Sequence, residues 1–429
     1  MAKLRAGKCF SVVMTLMLVL GLCAAAGPLG CGNYDPVVTI PDAGLEAAIR
    51  EALNKPEGDI YASELAWLQD LDAAARGIQD LGGLEYCTDL AVLILAANEI
   101  SDISPLANLT SLTVLILADN QISDIFPLAN LTNLTWLELW GNQISDISPL
   151  ANLTNLTVLG LWGNQISNTL PLASLTNLTW LSLGENQISD ISPLANLTSL
   201  TTLSLSKNQI SNISPLANLT SLTGLGLEHN QISNISPLAN LTSLTTLSLA
   251  ENQISNISPL ANLTSLTTLS LSENQISDIS PLANLTSLTE LGLGDNQISD
   301  ISSFSNLSKL KQLALDGNQI TDISALSDLT DLRVVWLDNN NITDISPLSG
   351  LIRIGEIEED DPWLDEREGI KISIGLRDNQ ITDIEPLVEN EELSEGDGID
   401  LRGNPLSSYS LNTYIPQLGE RGVNVLYDV

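Results

Sequence analysis

The sequence predicts an α/β solenoid, a stack of short coils that each contribute one strand to a shared parallel sheet. Three observations carry this. An Asn recurs every 22 residues, at Asn98, Asn120, Asn142, Asn164, Asn186, Asn208, Asn230, Asn252, Asn274, Asn296, Asn318 and Asn340, with further copies at Asn379 and Asn404 after longer spacings. A fixed period of this length marks a repeat architecture. Before each Asn the pattern has period 2: Leu247 and Leu249 alternate with Thr246, Ser248 and Ala250, as in a short half-buried strand. After the Asn it has period 3: Ile254, Ile257, Leu260, Leu263 and Leu266 suit tight helical turns.

Each element follows from its residues. The strand Leu side chains point to the core, and Thr, Ser and Ala point to the opposite face. Pro259 supplies a preset φ at the start of a turn and lacks an N–H that would go unpaired there. One coil alone cannot offset the entropy of ordering its own backbone, so copies must stack and share strand ladders and core. About fourteen parallel strands, at ~4.8 Å each, would span on the order of 65 Å. The Asn is the one polar residue at an inward position. Its amide has donors and an acceptor for the turn backbone of adjacent coils.

The unit L-x-x-L-x-L-x-x-N-x-I, and the run N-Q-I-S-D-I-S-P-L-A-N-L-T-N-L at residues 142–156, resemble the repeat of internalin-type bacterial leucine-rich repeat proteins. The resemblance covers nearly all of the chain after residue 40. It implies a right-handed horseshoe with a concave parallel sheet, a convex face of short 3₁₀ turns, a helical N-terminal cap, and protein binding on the concave side. The sequence departs from that family in showing no immunoglobulin-like region and no LPxTG-type sorting signal after the repeats, so host-receptor binding does not carry over.

Composition narrows the function classes. The net charge of −36 leaves no basic face to neutralise phosphates, which argues against nucleic acid. It also repels anionic membrane surfaces. Acids such as Asp102, Asp124, Asp146 and Asp190 read as the solvated side of the turns. Lys3, Arg5 and Lys8 precede an apolar run at residues 10–22 and then Ala24-Ala25-Ala26, the layout of a signal peptide over residues 1–26. Leu29-Gly30-Cys31 resembles the end of a bacterial lipobox, which makes Cys31 a lipidation candidate and moves the cleavage to residue 30; Pro28 departs from that pattern. The mature protein is therefore expected outside the cell or on its surface, freely secreted or lipid-anchored, with any membrane contact through that anchor. Cys87 falls 22 residues before Leu109, a core position, and reads as a small buried apolar residue. A Cys31–Cys87 disulfide is open only without lipidation.

Along the chain, residues 38–89 read as a helical cap merging into a degenerate first repeat. Asp42 caps one helix reaching residue 54, and Ser63 caps a second that carries Leu65, Trp67 and Leu68. Trp67 is expected to pack on the first coil, whose ladder position holds Arg76. Residues 90–354 form the regular array. Two copies depart from it: Thr169-Leu170 puts a polar residue at an inward position, and Ser303-Phe304-Ser305 replaces Pro-Leu-Ala. The N-x-T triplets, as at Asn108 and Asn130, read as part of the turn rather than as glycosylation sites. Residues 355–369 are an acidic insertion, read as an exposed loop rather than a calcium site. Residues 370–406 hold degenerate terminal repeats. Residues 407–429 close the end with a short helix over 408–418 and a strand over 422–427.

No catalytic constellation stands out. The one His, His229, sits at the sheet rim before Asn230 as an expected bystander, so no His-based triad or His-ligated zinc site can be built. Neither metal nor cofactor is expected. The outward strand positions are more informative. Successive coils hold Trp136, Glu138 and Trp140, then Val158, Gly160 and Trp162, then Trp180, Ser182 and Gly184. Four Trp on the outward face of an aromatic-poor chain, beside small residues, resemble a binding hot spot, although adjacent Trp can also cover one another as a cross-strand ladder. Trp336 is a second candidate contact on the same face. The expected function is an exported, monomeric, non-enzymatic recognition module. It would hold a protein or peptide with the Trp group as anchor, together with Val158 and Ser182, and with Glu138 as polar selector. A glycan stacked on the same Trp platform, and a purely structural surface protein, are the alternatives.

Overall fold

The computed structural model describes residues 35–355, 365–367 and 369–428. The expected signal segment, Cys31 and most of the acidic insertion lie outside these residues. The chain forms a leucine-rich solenoid in a horseshoe, built on one sheet of sixteen parallel strands that follow one another in sequence order. Neighbours in the regular array pair in a constant register of 22: Trp136 opposes Val158, Leu137 opposes Leu159, and Glu138 opposes Gly160. The Arg76 coil supplies the first strand, Asp70–Asp72, and the C-terminal cap supplies the last, Asn424–Leu426, paired with Gly398–Asp400. These two account for the strands beyond the Asn count.

The Leu and Ile positions of every coil are buried in one continuous core. Cys87 belongs to it, and burial pushes its thiol up to about 12. Each ladder Asn ties its own coil to the one before. The Asn142 amide donates to Leu139 O and, in the preceding coil, Leu117 O, both at 3.0 Å, while its Oδ1 accepts the Ile122 N–H at 2.9 Å. A second ladder joins the strand starts: the hydroxyls of Thr135, Thr157 and Thr179 each donate to the carbonyl one coil earlier, at 3.0–3.1 Å.

The convex side carries 3₁₀ turns such as Ser258–Leu260. The Asp two residues before each turn accepts its first N–H, as Asp146 Oδ1 does from Ser148 at 2.8 Å. The Ser148 N–H, then its hydroxyl, holds the Asp146 carboxyl below its usual range. Asn212 and Asn234 make the same bond. Asp and Asn therefore interchange here because both present an Oδ1 acceptor. Phe304 is fully buried in the Leu slot, and the inward Thr169 hydroxyl donates to Asp190 O at 2.9 Å, so both irregular copies are repacked rather than broken.

The residue before each ladder Asn has a left-handed backbone, from Ala97 and Asp119 through Lys207, His229 and Glu273 to Asp378, with glycine there at Gly141, Gly163, Gly317 and Gly403.

At the N-terminus, Asp42 caps Ala43–Ala52 by accepting from Gly44 and Leu45 N–H, and the left-handed Asn54 ends the helical path. The second helix, Ala62–Ala66, is capped not at Ser63 but at Tyr61, whose N–H is accepted by Glu64 at 2.9 Å; Ser63 bonds Asp35. Trp67 does not pack on the first coil: it is 75% exposed. Two residues along a helix is more than half a turn, so with Leu65 facing in, Trp67 faces out. At the other end Ser410–Tyr414 is a π-helical turn running into the α-helix Ile415–Glu420. Part of the insertion is not loop: Asp365–Arg367 pairs antiparallel with Ile370–Ile372.

Candidate functional site

Because strand residues alternate, the buried Leu137, Leu159 and Leu181 force Trp136, Glu138, Val158, Gly160, Trp180 and Ser182 onto the opposite, concave face. Trp140 and Trp162 continue that face beyond the buried Leu139 and Leu161. All four indoles are half-buried and keep exposed area. They do not stack on one another: among the described residues the ring-on-ring pair is Tyr409 with Tyr414, in the C-terminal cap. Two glycines shape the floor. Gly184 leaves the space over which the Trp162 pyrrole edge lies, with Cδ1 2.6 Å from where a Cβ would stand. Gly160 leaves the space filled by Glu138 Oε2, 1.7 Å from its would-be Cβ.

Glu138 is the unusual member. It is 6% exposed, and its neighbours across the strands are Ile116 and Gly160. Its Oε1 accepts the Trp136 indole N–H at 3.0 Å, while Oε2 has no hydrogen-bond partner among the described residues. Burial pushes its carboxyl up to about 7, against the opposing effect of the indole bond. Ser182 is also buried, so both polar candidates lie in the floor rather than at an open rim. The patch extends toward the N-terminus through Val92, Ile94, Val114 and Ile116, the outward residues of the two preceding strands. Toward the C-terminus it gives way to Thr202, Ser204, Gly224, Gly226, Thr246 and Ser248.

Trp336 does not join this group, and its expected accessibility is corrected. It is 7% exposed, with Arg367 of the inserted hairpin 5.1 Å over its ring. Arg367 also pairs with Asp338 at 2.8 Å and Asp400 at 2.7 Å. Burial pushes the Asp338 carboxyl up despite Arg367. Burial also raises Asp400, but its bonds from Arg402 and Arg367 outweigh that and hold it below the usual range. His229 is exposed at the sheet rim, where its Nδ1 lies 2.5 Å from Glu251 Oε2 on the next coil. Among the described residues, no three His, Cys, Asp or Glu side chains group as a metal site, and no helix is long and apolar enough to cross a membrane.

Coils of constant period, tied by an inward Asn row under one parallel sheet, define a leucine-rich repeat solenoid. The family model described as leucine rich repeats (2 copies) matches residues 132–174, 176–218, 220–262, 264–307 and 308–350, about half of the chain, and a leucine rich repeat model matches 108–125. A crystal structure of an internalin (InlF) from Listeria monocytogenes is 45% identical over 73% of this chain and 94% of that one, with a TM-score of 0.71. The chain thus belongs to the internalin-like leucine-rich repeat proteins. A leucine-rich repeat protein of Leptospira interrogans shares the fold at 23% identity, over 85% of this chain and 97% of that one, TM-score 0.68. So does a plant peptide hormone receptor, RGFR1, solved in complex with RGF2, at 23% identity over 86% of this chain and 64% of that one, TM-score 0.67. A search of curated proteins returns no match.

Proposed function

We propose that the protein is an exported, non-enzymatic recognition module that seats a protein or peptide partner on the concave sheet. Trp136, Trp140, Trp162 and Trp180 act as anchors, Val158 and Ser182 form the floor between them, and Glu138 is the polar selector. The observation that carries this is four half-buried indoles on three consecutive coils, each keeping exposed area and none stacked on another. Aromatic anchors with retained surface next to small residues are what a partner's side chains can dock between. The internalin-like fold is a recognition scaffold, and a plant peptide hormone receptor of the same fold was solved in complex with RGF2, which supports a polypeptide ligand. Export follows from the N-terminal segment, with Cys31 as its anchor point if lipidated.

The test replaces Trp136, Trp140, Trp162 and Trp180 with Ala. Retained secondary structure, together with a tenfold or greater loss of binding to cell-surface proteins displayed singly on an array, is the expected result. A glycan array run in parallel separates the carbohydrate reading: loss confined to glycans would replace a polypeptide ligand with a sugar. Unchanged capture on both arrays would leave a purely structural surface protein.

A further inference from the structure

We infer that the Glu138 carboxylate takes the guanidinium or ammonium of a basic side chain supplied by a polypeptide partner. This rests on the reading of the Trp group as the docking patch and adds the chemistry of what enters it.

Glu138 is almost wholly covered, yet one of its two oxygens is unused. Oε1 is bonded to the Trp136 indole, and Oε2 is buried over Gly160 without a hydrogen-bond partner among the described residues. Its strand neighbours, Ile116 and Gly160, offer no donor side chain. No Lys, Arg or His of the described residues pairs with it. An acid carried into such a site without a counter-charge is costly to the free protein, whereas a cation delivered from outside would meet a carboxylate with one indole bond and no counter-charge to displace. The surrounding groups favour the same ligand. Indole faces attract cations, and Trp is the strongest of the aromatic side chains in this. The chain's net charge of −36 draws basic segments toward it and repels acidic ones. A metal ion is a poor alternative, since among the described residues no group of three ligating side chains forms around it. The apolar Val92, Ile94 and Val114 leading up to the site suit the aliphatic stem of Arg or Lys and the residues flanking it.

The experiment uses the full chain against an array of dodecamer peptides of randomised sequence, followed by calorimetry on those retained. Peptides carrying Arg or Lys at a fixed position should be enriched. Replacing that residue with citrulline or norleucine should weaken binding at least tenfold. Glu138→Gln should weaken the basic peptides equally, and the citrulline swap should then have no further effect. Gly160→Ala, whose Cβ would stand where Oε2 lies, should also weaken them by displacing the carboxylate. Retained peptides with no basic residue, no enrichment at all, or an unchanged affinity in Glu138→Gln would overturn the inference. The last of these would indicate a neutral donor such as a hydroxyl. Trp140→Ala with Trp162→Ala separates the two levels. If it abolishes binding while Glu138→Gln does not, the patch stands and the cation falls; if it leaves binding intact, the patch itself is wrong.

Discussion

A carboxyl raised by burial is a pH-dependent weight on the fold, and Glu138 gives it a sign. In the unfolded chain it titrates near 4.5; in the folded protein it titrates at about 7, chiefly through burial. Between those values the folded form keeps a proton that the unfolded form has released. Its contribution therefore favours folding below about pH 4.5, and stability declines as pH rises through 7, flattening above that. Asp316, raised to about 6 by burial first, acts in the same direction. Glu138→Gln removes the charge while keeping the shape, so the variant should match the parent at pH 4 and exceed it at pH 8 by about 3 kcal/mol. Urea titrations at the two pH values check this. An equal or lower stability of the variant at pH 8 would mean that the carboxylate is better compensated than its single indole bond implies. None of this is visible in the string of letters, where Glu138 is simply one polar residue between two Trp. Its strand position was legible, but its depth depends on Ile116 and Gly160 lying 22 residues to either side.

At the scale of elements, the inserted hairpin shows how a segment read as solvated loop becomes structural. Asp365–Arg367 and Ile370–Ile372 return the chain to the concave end of the array, where Arg367 lies over Trp336 and between Asp338 and Asp400. Gly375 makes this possible: a Cβ there would meet Trp336 Cε3 at 2.6 Å and Asp338 Oδ2 at 2.7 Å. The acidic composition of the insertion hid the one basic residue that matters, and the Trp336 column could not show that a later hairpin covers it. By contrast, the 3₁₀ turns and strands of the regular array were legible because each follows from a local pattern repeated in register, and the helix at Ala43–Ala52 because Asp42 and its apolar face mark it. Arg367→Gln should strip a charge from two buried carboxylates and cost ~2–4 kcal/mol in the terminal coils. Hydrogen exchange should report faster exchange at residues 370–376 and 398–401, with coils before Asn318 unchanged. If those amides kept their protection, the hairpin would be an ornament on the terminal coils and not a clasp.

For the whole molecule, stability is a sum over neighbours. Each coil touches the one before and the one after, and the Asn row is the polar part of every such joint. Asn208 shows what one joint holds: its amide donates to Leu205 O and Leu183 O at 3.1 and 3.0 Å, and its Oδ1 accepts Ile188 N–H at 2.9 Å. Asn208→Ala leaves those buried groups without partners at a cost of about 3 kcal/mol. In a globular domain with one cooperative core, that loss would be felt everywhere. In a one-dimensional stack it should stay local. Protection should drop for amides of the Asn186 and Asn208 coils, including Ile188, and persist in coils four or more repeats away. The Trp patch, centred on the Asn142 and Asn164 coils, lies close enough to sense the weakened joint, whereas the hairpin clasp on the Asn340 coil lies too far. A drop in exchange protection spread evenly from the cap helix to Asn424–Leu426 would show a single cooperative unit. It would also mean that the concave face cannot be altered at one end without disturbing the other.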